Sequence, residues 1–205
     1  MRRAKPYHHG NLREALLGAA IRLIAEVGPT AFTLREVARR AGVSHNAPYR
    51  HFRDRDDLMA AVAAQGFREL TRAMIEAAAP KSDPLDRLKH AGLGYVTFAL
   101  RRPEHFTVMF DAPISKHKHP DSAAAAEESF ATLLTFVKGG QDAGRLPSGD
   151  LREMALLAWT MVHGIAKLGI TGRLPFRSET EILKFAAFVI DQSLPVPRRG
   201  PSSTR

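Results

Sequence analysis

Cysteine is absent from the 205 residues, which removes disulfide frameworks, thiol nucleophiles and cysteine-based zinc sites together. Long apolar runs are missing too, since nothing approaches the roughly 18–20 residues that a membrane-spanning helix needs. The basic start, Met1-Arg2-Arg3-Ala4-Lys5-Pro6-Tyr7-His8-His9-Gly10, leads into a stretch interrupted by Arg13, Glu14 and Arg22. A secretory signal is therefore not expected, and the cytoplasm is the expected location. Nucleophile-elbow, phosphate-loop and metalloprotease spacings do not occur, so catalysis has no anchor and no cofactor is expected. Period-2 alternation is scarce, which argues against strands.

What is present is positive charge, unevenly placed. The formal net charge is +9. Residues 1–55 hold eleven Lys/Arg against four acids, a balance of +7; the tail from Leu194 adds +3, and residues 56–193 come to −1. A basic head on a neutral body suggests a polyanion partner, although uneven surface charge for solubility alone would look the same.

Spacings of three and four recur along the whole chain, predicting an all-α protein. Asn11 is placed to cap a first helix, with Leu12, Leu16, Ala19, Ala20, Leu23 and Val27 on one face until Gly28-Pro29. Thr33-Leu34-Arg35-Glu36 reads as a capping box. A short helix follows, then a turn at Gly42, then a third helix from Ser44 to Phe52 containing Pro48. A fourth runs from Asp54–Asp57 to Ala79, with Leu58, Ala61, Val62, Leu70 and Met74 facing inward. Further helices are expected over 85–100, from Pro103, over 122–141, over 150–171 and over 178–193. Residues 111–121 read as a loop. These breaks divide the chain into a basic head over 1–55, a helical body over 56–193 and a disordered tail over 194–205.

The segment Thr33 to Phe52 has the form helix, tight turn, helix. Small residues let the two helices approach, Gly42 takes the turn, Val43 fills the shared core, and polar groups remain outward on the second helix. Those are Ser44, His45, Asn46, Arg50 and His51, with Tyr49 amphipathic. Asn can pair with an adenine edge, and Arg with guanine or phosphate. Spacing alone leaves a plain helical hairpin open; the charged head favours a DNA reader.

The run Thr33-Leu34-Arg35-Glu36-Val37-Ala38-Arg39-Arg40-Ala41-Gly42-Val43-Ser44, with Tyr49-Arg50-His51-Phe52 and Leu58, resembles the TetR family of bacterial transcriptional regulators. The resemblance spans about residues 11–64. Further on, Trp159-Thr160-Met161-Val162-His163-Gly164, followed by Gly172, resembles the WHG-type C-terminal domain of one branch. The resemblance implies a homodimer joined through its last two helices, which binds a palindromic DNA operator. It further implies that 1–55 is a helix-turn-helix DNA-binding domain and 56–193 a ligand-binding and dimerisation domain, that a small molecule entering the C-terminal domain releases the operator, and that the protein is a repressor, as most members are, although some activate. It places Ser44, His45 and Asn46 on bases, Tyr49 and His51 on phosphates, Thr33 on a phosphate at the start of its helix, and Arg55 near the backbone. Pro48 stands where the family usually has an aliphatic residue.

Candidate effector contacts are Phe98, Phe106, Met109, Phe110, Phe130, Leu134, Trp159 and His163. Their apolar character favours a hydrophobic or aromatic effector, but a helical aromatic stripe is also ordinary core. Trp159 and His163, four apart, share a face that meets either a ligand or the dimer partner. His117 and His119, with His105 and Asp111 nearby, do not compose a metal site, because the flanking lysines disfavour a cation. His8-His9 reads as an arm rather than a ligand pair. The helices over 150–171 and 178–193 carry Met154, Leu157, Met161, Ile165 and Leu168, then Ile182, Leu183, Val189 and Ile190, more apolar surface than one buried face needs. A four-helix dimer interface would bury the excess, as would a central place in a monomer core. A sequence-independent protein that coats nucleic acid is the alternative to a specific regulator.

Overall fold

Polar side chains satisfy the first amides of four of the helices. Thr33 and Glu36 form the expected capping box, with the Thr33 hydroxyl accepting from Glu36 N–H at 3.3 Å and the Glu36 carboxylate accepting from Thr33 N–H at 2.8 Å. Asp83 caps another helix through the amides of Leu85 and Asp86, with Pro84 in the first turn. Asp150 accepts from Glu153 N–H at 2.9 Å. Ser178 and Glu181 make a second capping box. The computed structural model describes residues 12–115 and 117–194, which form eight α-helices. They are α1 (Leu12–Val27), α2 (Leu34–Ala41), α3 (Arg55–Ala78), α4 (Pro84–Arg101), α5 (Pro103–Asp111), α6 (Pro120–Asp142), α7 (Leu151–Ile170) and α8 (Glu179–Ser193). A 3-10 helix, Pro48–Arg50, lies between α2 and α3, and there is no strand among the described residues. The Asn11 cap, the His8-His9 pair and the tail beyond Leu194 fall outside the described residues.

Two compact units divide these helices, one comprising the described residues through Phe67 with Glu104–Ala125, the other Arg68–Pro103 with those from Ala126 on. In the first, Leu16, Ala19, Ala20 and Leu23 of α1 are buried, as are Leu34, Val37 and Ala38 of α2 and Leu58 and Val62 of α3. Each large apolar side chain so enclosed contributes roughly 1.5–3 kcal/mol. The Arg40 guanidinium forks onto the Glu26 carboxylate and ties α2 to α1; this hydrogen bonding holds the Glu26 carboxyl below its ordinary range. Val27, expected inside, is 49% exposed. It is the last residue of α1, where the left-handed Gly28 turns the chain.

In the second unit α4 packs against both α7 and α8. At Gly92 an added Cβ would stand 3.2 Å from Val162 of α7 and from Ile190 of α8. At Gly94 it would stand 2.5 Å from the Ala73 carbonyl oxygen of α3, so only glycine allows that approach. The expected loop over 111–121 is shorter than its sequence suggested: Asp111 still belongs to α5, and Pro120 opens α6, the helical position where a missing N–H costs nothing. No helix among the described residues is long and apolar enough to cross a membrane.

Candidate nucleic-acid interface

The turn after α2 is built by Gly42, whose φ of 70° lies in the left-handed region. Its amide donates to Arg39 O at 3.2 Å, and the Val43 amide donates to Ala38 O at 3.0 Å, closing the helix end. Beyond the turn the structure corrects the sequence reading. Instead of a third α-helix from Ser44 to Phe52 there is a turn and the three-residue 3-10 helix. Pro48 is the physical reason. It has no N–H to donate to the Ser44 carbonyl, so the Ala47 amide takes that carbonyl at 2.9 Å, one residue early, which tightens the winding. The Pro48 carbonyl then accepts from both His51 and Phe52 amides at 2.9 Å.

This winding sorts the side chains cleanly. Pro48 and Phe52 are buried, while Ser44, His45, Asn46, Arg50 and His51 are exposed and Tyr49 is 52% exposed. The expected base-facing and phosphate-facing residues therefore share a solvent-exposed segment, with two inward anchors holding it to the core. Val43, expected in the core, is half-buried. Thr33 is exposed, its hydroxyl 3.0 Å from Glu36 Oε2. Arg55 is engaged within the head, where Nη1 donates to the Thr30 carbonyl at 2.7 Å. Arg35 and Arg39 of α2 are also exposed, and their sign suits a polyanion.

Just past the 3-10 helix, Arg53 and Asp57 form an ion pair that the sequence reading passed over. Asp57 accepts from Arg53 N–H at 3.1 Å, Nε at 3.2 Å and Nη2 at 3.3 Å. Those bonds hold its carboxyl below the usual range. His119 Nδ1 lies 3.4 Å from Asp57 Oδ1, the oxygen that also accepts from Arg53 Nη2. The i,i+4 spacing of Arg53 and Asp57 was a readable signal; the arrival of His119 was not.

The candidate effector residues fall in two places. Phe106 and Met109 are buried in the first unit with Phe110, whose ring is 4.8 Å from that of Phe106 and 5.6 Å from that of Phe67. Phe98, Phe130, Leu134, Trp159 and His163 lie in the second unit. There Trp159 Nε1–H donates to the Tyr95 oxygen at 3.2 Å, and the Tyr95 hydroxyl shares a 2.8 Å hydrogen bond with His163 Nδ1. Burial pushes the Tyr95 phenol well above its ordinary pKa, so it stays protonated. Phe130 stands edge-on to Trp159 at 6.3 Å, with the Arg152 guanidinium 5.4 Å over its ring. Sequence reasoning missed Tyr95, because nothing in the local spacing links it to α7. Among the described residues no group of three or more His, Asp or Glu could hold a metal ion.

Comparisons with known proteins match both ends of the chain. Residues 16–62 match the model described as "Bacterial regulatory proteins, tetR family" and residues 88–192 the model "Tetracyclin repressor-like, C-terminal domain". The Trp159–Gly164 stretch lies inside the second match. The chain is 32% identical over 202 residues to the HTH-type transcriptional regulator AcrR of Shigella flexneri, covering 93% of this chain and 94% of that one. It is 38% identical over 73 residues to the HTH-type transcriptional repressor Rv3405c of Mycobacterium tuberculosis, a match spanning 36% of this chain and only 39% of the repressor. A solved structure of a protein of unknown function from Rhodococcus sp. RHA1 superimposes with a TM-score of 0.80 at 34% identity, covering 93% of this chain and 99% of that one. With both halves matched, the chain belongs to the tetR family of bacterial regulatory proteins, DNA-binding transcription regulators rather than enzymes.

Proposed function

We propose that this regulator is a cytoplasmic homodimeric repressor that binds a palindromic operator and leaves it when a small hydrophobic or aromatic effector enters its C-terminal domain. The observation that carries the DNA half is the exposed row Ser44, His45, Asn46, Tyr49, Arg50 and His51, pinned from behind by buried Pro48 and Phe52. In this reading Ser44, His45 and Asn46 face bases, while Thr33, Tyr49, Arg50 and His51 reach phosphates. Arg55 supports the head through Thr30 and stands close to the backbone. The charge excess of residues 1–55 supplies the sequence-independent part of the affinity.

Residues 56–193 carry effector binding and dimerisation. Leu156, Leu157 and Leu168 of α7 and Phe188 of α8 are exposed in the single chain, which supports a helix-on-helix interface there. The aromatic group Phe98, Phe130 and Trp159, with Leu134 and His163, supports an apolar effector, and Phe106, Met109 and Phe110 add a second apolar group. A coupling of about 1–3 kcal/mol between effector and DNA is enough for release.

Selection of bound sequences from random DNA tests the reading. The wild-type protein is expected to return a palindromic motif. Asn46→Ala is expected to flatten preference at one base pair per half-site, a loss of about 1–3 kcal/mol of discrimination there, while other positions keep theirs. No enriched motif with the wild-type chain, or an identical motif with the variant, counts against it; the first outcome would favour sequence-independent coating.

A further inference from the structure

A cavity of about 240 Å³ opens in the first unit beside the end of the helix-turn-helix, and its lining includes Arg13 of α1, His51, Arg53, Asp57, Lys118 and His119. Lys118 comes from the α5–α6 turn, more than sixty positions beyond the helix-turn-helix in sequence. Its position is not left to chance. The Lys118 and His119 amides both donate to the Ser115 carbonyl, at 3.2 and 3.1 Å, and the buried His119 ring reaches Asp57 of α3. The turn is thereby fastened to the head with Lys118 exposed at the cavity. Arg13 is held on the opposite element, its guanidinium 5.7 Å from the centroid of the Phe52 ring.

Three permanent cations (Arg13, Arg53 and Lys118) face two carboxylates, Asp57 and Asp121. Asp57 is already neutralised by Arg53, which grips it through both side chain and backbone. Arg13 and Lys118 then outweigh Asp121. The cavity also contains His51, the residue at the end of the exposed row.

We propose that this cavity is an additional phosphate site, where Lys118 and Arg13 take a DNA backbone phosphate adjoining those reached by Tyr49 and His51. The DNA footprint thus draws a cation from the α5–α6 turn, outside the 1–55 head. This rests on the operator-binding reading, and the chemistry recognised is a phosphate oxyanion.

The test uses the full chain, a duplex carrying the selected motif, a random-sequence duplex and inorganic phosphate. Lys118→Ala is expected to weaken both duplexes by the same factor and to lower the slope of log affinity against log salt by about one. Lys118→Arg is expected to keep the wild-type slope, and Asp121→Asn to tighten binding to both duplexes. An unchanged slope in a Lys118→Ala variant that melts like the wild type overturns the proposal alone. Binding of inorganic phosphate at His51 and His119, followed by NMR, combined with an unchanged DNA slope overturns it in favour of a free-anion site. A wild-type chain that binds no duplex sinks the operator reading and this proposal together.

Discussion

Changing Phe188 to glutamate is expected to leave a folded monomer that no longer holds an operator. Phe188 is 60% exposed, the highest value among the large apolar side chains of the described residues. It sits on α8, whose inward positions Ile182, Ala186 and Ile190 are already buried, so its removal costs the fold of one chain little. A two-fold interface presents every substitution twice, and two carboxylates would have to enter the buried patch without partners. In the proposed dimer, operator affinity depends on two heads acting together. Separating them removes an avidity gain of about 10²–10⁴. Sedimentation at fixed concentration, beside a binding titration with the palindromic duplex, reads both effects. A variant that remains dimeric with wild-type DNA affinity would remove α8 from the interface.

Phe106→Ala is expected to have the largest effect on stability, a loss of about 3–5 kcal/mol. That is a substantial fraction of the 5–15 kcal/mol (approximately) that holds a typical domain together. Phe106 has no solvent exposure, and its ring meets Phe110, which in turn meets Phe67 edge-on at 5.6 Å. Truncation leaves a hole that neighbouring helix backbones cannot close, because interiors are packed to crystal-like density. Denaturant midpoints with an unchanged slope measure it. The result also separates two roles that the sequence allows for this residue. A large loss of stability marks it as core; a weakened effector response with normal stability would mark it as pocket lining.

Helix existence and helix starts were legible because they depend on local chemistry. Thr33 and Glu36 satisfy each other's amides across a single turn, and that box can be read from four letters. The sorting of Ser44, His45 and Asn46 outward was legible for the same reason, since polar side chains have no reason to enter an apolar hairpin. The winding between Ser44 and Phe52 was not. One proline removed one donor, and a carbonyl changed partners by one residue, a choice between two geometries of nearly equal energy. Contacts across long stretches of chain were hidden altogether. The meeting of Tyr95 with Trp159 and His163 is a fact about where α4 and α7 pack. The fastening of His119 to Asp57 depends on the course of the α5–α6 turn. A run such as Lys116-His117-Lys118-His119 reads as a solvated loop, and only the fold shows that its last two members border the helix-turn-helix.

The central claim, that the exposed row reads a specific DNA site as a symmetric pair, is tested most directly by footprinting the wild-type protein on the DNA flanking its own gene at moderate salt. The expected result is one bounded protected region with two inverted half-sites, their centres separated by about one helical turn or a small multiple of it. Protection that spreads without boundaries and fades evenly as salt rises would contradict it.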